Sequence, residues 1–252
     1  MPAILLTNDD GYGTAGLRAL QEALEPLGEV TIVAPDRERS SASHALTLHR
    51  PLRMREQASR HFTVDGTPTD CIYLGVVHPH DRKPDLIVSG INRGLNVGDD
   101  ITYSGTVAAA FEGALLGVPS FAVSRDVGQG DDYSAAAELA AEIARQVLSE
   151  GLPQDTILNL NVPATPPRGV RVTRQGKRIY TQSVDERRDP RGGTYYWIGG
   201  QPTLATSGPD SDLAAVLEGF AALTPLKLDL TDERTLELIS RWPLLADARA
   251  RR

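Results

Sequence analysis

Near the start of the chain, Asn8, Asp9 and Asp10 follow a short apolar run and precede Gly11. Two adjacent carboxylates projecting from a tight turn can hold a hard divalent cation through oxygen atoms. A bound cation then reverses the local charge logic, so an acidic site can receive an anion. The same residues also suit a plainer arrangement, with Asn8 and Asp9 in an Asx-rich turn and Asp10 capping the next helix. A third reading starts from the glycines. Gly11-Tyr12-Gly13-Thr14-Ala15-Gly16 matches the dinucleotide fingerprint, and Asp36 lies twenty residues past Gly16, where a ribose-binding acid belongs. This alternative makes the chain a nucleotide- or dinucleotide-binding Rossmann-like protein that uses the turn from Gly11 to Gly16. It meets an electrostatic objection, because Asp9 and Asp10 stand where a pyrophosphate would lie and nothing basic in the turn offsets them.

Later loops add hydroxyls and amides. Ala34-Pro35-Asp36-Arg37-Glu38-Arg39-Ser40 contains a hydroxyl that can complete a hard-metal shell, although serine-rich loops are usually solvated turns. His44, a little further on, is given no role. In Ser89-Gly90-Ile91-Asn92-Arg93-Gly94-Leu95-Asn96, the two asparagines offer amide oxygens to a cation or N–H groups to an anion. Ser104, Gly105 and Thr106 directly precede a helical pattern, where free backbone N–H groups make an anion site. Helix capping by Ser104 or Thr106 is the plainer role, and the two are compatible. At Gly66-Thr67-Pro68-Thr69-Asp70 the structural role prevails: Thr67 as N-cap, Pro68 at the first helical position and Asp70 two residues later form a complete helix start. His78-Pro79-His80 is left unassigned, and Tyr195, Tyr196 and Trp197 suit the packing of a hairpin or a subunit contact.

The elements that must position these groups alternate. Residues 4–6 read as a buried parallel strand; Leu17, Leu20, Leu24 and Leu27 recur at helical spacing with Gly28 as a stop; residues 30–34 read as a second strand. Strand patterns follow at 85–88, 120–123 and 157–161, with helix patterns at 106–116 and 133–150. Such alternation predicts an α/β fold with a mostly parallel sheet covered on both faces, and ligands at the carboxyl ends of its strands. After Pro163 the texture changes to Pro-, Arg- and Gly-rich segments that predict projecting hairpins or loops, then a helix at 212–218, a strand at 226–230 and a helix at 232–242. We therefore expect an α/β catalytic core over 1–163 and an extension over 164–252. The terminal residues 248–252 are expected to fray.

Composition narrows the function classes. The chain has 252 residues, one cysteine (Cys71) and a formal charge of −7, so no internal disulfide can form and no broad basic surface exists for a nucleic-acid polymer. No apolar run approaches the roughly 18 residues that span a bilayer, and the first residues lack the pattern of a signal peptide. A cytoplasmic, non-membrane protein is expected. If the ligand is anionic, its attraction must be local.

Taken in order, several segments resemble the SurE (survival protein E) family of metal-dependent nucleotidases and phosphatases. They are Leu5-Leu6-Thr7-Asn8-Asp9-Asp10-Gly11, Ala34-Pro35-Asp36 with Arg39-Ser40, Gly66-Thr67-Pro68-Thr69-Asp70-Cys71, Ser89-Gly90-Ile91-Asn92 with Asn96, and Tyr103-Ser104-Gly105-Thr106-Val107. Asp189-Pro190-Arg191-Gly192 with Tyr196-Trp197-Ile198-Gly199, and Thr224-Pro225-Leu226, extend the resemblance over nearly the whole chain. It implies a three-layer α/β/α Rossmann-like fold with a C-terminal hairpin and helix extension. It also implies one divalent cation per subunit (magnesium, manganese or calcium) held by Asp9, Asp10, Ser40 and Asn92, with Asp9 and Asp10 catalytic and the phosphate on Asn96, Ser104, Gly105 and Thr106. The implied reaction is a 5′-nucleotidase's: nucleoside 5′-monophosphates, with 3′-nucleotides and short polyphosphate as further substrates, hydrolysed to release phosphate. A homodimer or homotetramer joined through C-terminal arms is implied as well.

Overall fold

The first apolar run forms β1 (Ala3–Thr7) in the computed structural model, which describes residues 1–77, 82–128, 130–177, 179–180, 183–200, 202–203 and 208–242. Side chains alternate across this strand, so Ile4 and Leu6 pack into one apolar cluster and Leu5 into another on the opposite face. The helix α1 (Ala15–Leu24) follows, then β2 (Glu29–Pro35) pairs with β1 in parallel. The helix stops at Leu24, short of Gly28, and Leu27 packs on the core from beyond the helix end.

An antiparallel pair, β3 (Met54–Ala58) and β4 (His61–Val64), forms one edge of the sheet. Sequence reading missed it because β3 is polar and mostly exposed, with no alternation to mark a buried face. Then come α2 (Pro68–Val77), β5 (Leu86–Arg93), α3 (Gly105–Leu115), β6 (Ser120–Arg125), α4 (Ser134–Glu150) and β7 (Thr156–Val162). The expected start of α2 is present. Thr67 Oγ1 accepts from the Asp70 N–H at 3.1 Å and Asp70 Oδ2 accepts from the Thr67 N–H at 2.8 Å. Strand β5 runs five residues past the expected end at Val88, with a register shift against β6 between Ser89 and Asn92. That irregularity carries Asn92 to the strand's carboxyl end.

The later chain contributes β8 (Val170–Val172), β9 (Ile179–Tyr180), β10 (Ser183–Arg188), β11 (Thr194–Gly199), β12 (Pro202–Thr203), α5 (Asp212–Leu217), β13 (Ala221–Lys227) and α6 (Glu233–Ile239). The expected strand at 226–230 therefore starts five residues earlier. Pro225 inside it lacks an N–H and reads as a break, yet the strand runs antiparallel to β7 and parallel to β8. The main sheet has nine strands in the order β3-β4-β2-β1-β5-β6-β7-β13-β8, mostly parallel. Helices α1 and α4 cover one face with Leu17, Leu20, Ala140 and Ala144, while α2 and α3 cover the other with Cys71, Ile72 and Ala109. β10 and β11 form a separate hairpin whose side chains are exposed, including Tyr196, Trp197 and Ile198. His78-Pro79-His80 and residues 248–252 lie outside the described residues. No described helix is long and apolar enough to cross a membrane.

Candidate active site

The turn after β1 separates the roles of its three polar residues. Asn8 is the turn-former: its Oδ1 accepts from the Gly11 N–H at 3.2 Å, and its Nδ2 donates to the Gly11 carbonyl at 3.0 Å and to Thr14 Oγ1 at 2.9 Å. Asp10 does not cap α1, whose N-cap is Thr14. Its Oδ2 accepts instead from the Arg93 N–H at the end of β5, at 3.2 Å. With Asn8 holding the turn, Asp9 and Asp10 face a cavity of about 690 Å³ at the carboxyl ends of β1, β2 and β5.

Ser40, Asn92, Asn96 and Ser104 line the same cavity, so six of the eight expected site residues converge there from four separate segments. Gly105 and Thr106 do not line it. Their place is beneath Asp9, where the Thr106 hydroxyl donates to Asp9 Oδ1 and the Thr106 N–H also faces that carboxylate. A Cβ on Gly105 would come 3.1 Å from Asp9 Cβ and 3.2 Å from Asp9 Oδ2, so the missing side chain lets the helix N-terminus lie directly against Asp9. Ser104 Oγ caps α3 by accepting from the Val107 N–H at 3.1 Å. Thr106 is thereby committed to Asp9.

Charge in the cavity is one-sided. Among the described residues, Asp9, Asp10, Glu38, Asp100 and Asp126 line it against the single guanidinium of Arg93. Burial pushes the Asp9 carboxyl up from 3.8 to about 6, against the lowering by Thr106 and with a further upward push from the Asp10 charge. Burial also raises Asp10; the Arg93 N–H opposes that rise and the charge of Glu38 adds to it. Glu38 had no role in the sequence reading, yet its Oε1 accepts from Ser40 Oγ at 2.6 Å. Its position two residues before Ser40 was the available signal. His44 lies outside the cavity lining, with its Nε2 2.8 Å from Oε2 of the buried Glu112 on α3, and so ties the Ser40 loop to that helix. Beside it, Ser43 Oγ donates to the Thr102 carbonyl at 2.8 Å.

Comparison with known proteins identifies the family. A family model described as survival protein SurE matches residues 4–182. The chain belongs to the SurE family. A protein named 5′-nucleotidase SurE from Syntrophotalea carbinolica is 52% identical over 243 residues, covering 96% of this chain and 97% of its own. The protein of the same name from Geobacter sulfurreducens is 52% identical over 247 residues, with 96% and 94% covered. The crystal structure of the SurE protein from Aquifex aeolicus superposes with a TM-score of 0.85 at 45% identity, covering 95% of this chain and 98% of that one. In this SurE-family chain the glycines of the first turn have structural explanations: a Cβ on Gly16 would fall 2.2 Å from the Ile91 carbonyl oxygen, and Gly11 and Gly13 have φ of +100° and +82°. Gly11, Gly13 and Gly16 are absent from the cavity lining. The dinucleotide alternative is not favoured.

Proposed function

We propose that this SurE-family chain is a divalent-metal-dependent 5′-nucleotidase that hydrolyses nucleoside 5′-monophosphates to nucleoside and phosphate, with 3′-nucleotides and short polyphosphate as further substrates. The observation that carries the metal requirement is the charge of the cavity. A phosphate ester cannot approach five carboxylates and one guanidinium unless a cation intervenes. The donors fit a hard cation: carboxylate oxygens of Asp9 and Asp10, the Ser40 hydroxyl and the Asn92 amide oxygen, with no sulfur or imidazole among them. Buried Asp9 has hydroxyl and N–H partners but, among the described residues, no positively charged one against it, so it is a carboxylate that a cation would stabilise. We assign one magnesium, manganese or calcium ion per subunit to these four residues.

When bound by these residues, the cation would supply Lewis-acid charge for the phosphoryl group and the attacking water. The chain's own groups do the positioning. Thr106 holds Asp9 in one orientation, and the Arg93 N–H does the same for Asp10. The Asp9–Asp10 pair orients the water and accepts its proton. The Ser104 hydroxyl at the start of α3 and the Asn96 amide, both on the cavity wall, meet charge developing on the phosphoryl oxygens. Subunits pair through the exposed hairpin of β10 and β11, as a homodimer or homotetramer, in a cytoplasmic protein.

Phosphate release, measured across nucleoside monophosphates with and without each metal, tests the reading. The expected result is release that needs added cation, is abolished by a chelator and falls at least about a hundredfold in Asp9→Asn. Full turnover by the chelated protein would overturn it.

A further inference from the structure

Three side chains of neighbouring strands converge on Asn96. Its N–H donates to Asn161 Oδ1 at 2.8 Å, and its carbonyl accepts from Asn161 Nδ2 at 3.0 Å and Asn159 Nδ2 at 2.8 Å. Its own Nδ2 donates to Ser124 Oγ at 2.8 Å. Ser124, Asn159 and Asn161 are fully buried. Ser124 on β6 is the register partner of Asn161 on β7, and Asn159 points to the same face two residues earlier. Asn161 thus acts toward residue 96 as a strand neighbour does, answering its N–H and its C=O with one side chain. The sheet does not need this, because the backbones of residues 159 and 161 already pair with β6 and β13. Apolar residues at 159 and 161 would avoid the cost of desolvating two amides. What the amides add is a fixed place for Asn96.

We propose that Asn161, assisted by Asn159 and Ser124, is a positioning residue for phosphate hydrolysis: it holds Asn96 at the cavity wall before substrate arrives. The proposal rests on the reading of Asn96 as a phosphate contact. One N–H of the Asn96 amide goes to Ser124, and the second is the donor that serves the anion. A donor fixed in advance needs no reorganisation during reaction, and a displacement of about 1 Å costs on the order of a hundredfold in rate.

Four variants separate the possibilities: Asn96→Ala, Asn161→Ser, Asn159→Ser and Thr224→Val. Thr224 is also buried, sits across from Asn159 on β13 and bonds Thr173, so its change perturbs the same sheet without touching residue 96. For Asn161→Ser we expect kcat to fall roughly tenfold to a hundredfold, with weaker inhibition by inorganic phosphate and divalent-cation affinity within about twofold of wild type. Amide hydrogen exchange at residue 96 should accelerate in the metal-free protein. Asn159→Ser, which removes one of two bonds to the same carbonyl, should change these readouts in the same direction by less, and it serves if Asn161→Ser does not fold. Thr224→Val should keep kcat. A kcat for both asparagine variants equal to that of Thr224→Val, with Asn96→Ala crippled, overturns the positioning role and leaves the phosphate contact standing. Full turnover by Asn96→Ala overturns both.

Discussion

Asp9 is under two opposed demands. To hold the cation proposed above it must be charged, yet its burial favours the neutral acid and raises its pKa to about 6. The sign for stability follows. Because the folded pKa lies above the unfolded value, ionising Asp9 weakens the metal-free fold as pH rises through that interval, by on the order of 2–3 kcal/mol above pH 6. Asn at this position keeps an oxygen for Thr106 and never ionises. Urea titrations in chelator at pH 5 and pH 8 should therefore show wild type losing stability relative to Asp9→Asn at the higher pH, while added cation raises the melting temperature of wild type only. An equal response of both proteins to cation would remove Asp9 from the metal site. Thr106→Val tests the partner: losing the hydroxyl that favours the charged carboxylate should raise the Asp9 pKa further and move the acid limb of the kcat/KM profile to higher pH. An unmoved limb would show that the hydroxyl does not tune Asp9.

The elements bring Asp9 and α3 together, and one glycine sets how closely. A Cβ at residue 105 would press on Asp9 and also lie 3.3 Å from Pro68 Cγ. Gly105→Ala should lower kcat/KM about tenfold by displacing the helix start, with the native far-UV circular dichroism retained. Unaltered kcat/KM would mean that the spacing is not critical. Local pattern made this region readable. The apolar run before Asn8, the N-cap at Thr67 and the Ser104 helix start are short-range signals, and each element formed where its own residues dictated. The β3–β4 edge and the continuation of β5 to Arg93 were not readable, because polar edge strands and irregular pairings depend on partners distant in sequence. The same holds within the site. Carboxylates announced themselves by type, but the use of the Thr106 hydroxyl on Asp9, and the involvement of Glu38 with Ser40, required the fold to bring separate loops within hydrogen-bond distance.

Across the whole molecule, the segments after residue 163 include one part that holds the site loop and another that forms a separate exposed hairpin. Asp212, fully buried at the start of α5, accepts from the Gly98 N–H through Oδ2 at 2.8 Å and from the Gly176 N–H through Oδ1 at 3.0 Å. Gln175 Nε2 donates to the Gly98 carbonyl at 3.0 Å. The loop that begins at Asn96 is therefore gripped by β7 at one end and by the C-terminal segment two residues later. The hairpin of β10 and β11 lines no part of the site cavity among the described residues and exposes Tyr196, Trp197 and Ile198. These two parts should separate experimentally. Asn at 212 offers one oxygen where the Gly98 N–H uses Oδ2 and the Gly176 and Leu213 N–H groups share Oδ1, so Asp212→Asn leaves at least one buried N–H unanswered. It should cost about 1–3 kcal/mol and lower kcat with the sedimentation of the protein unchanged. Replacing residues 183–199 by a short Gly-Ser linker should do the reverse, shifting sedimentation toward the monomer with kcat per subunit within about threefold, since a site held by residues 161 and 212 keeps its supports. Loss of both assembly and turnover in the hairpin deletion would instead make the oligomer itself part of the catalytic scaffold.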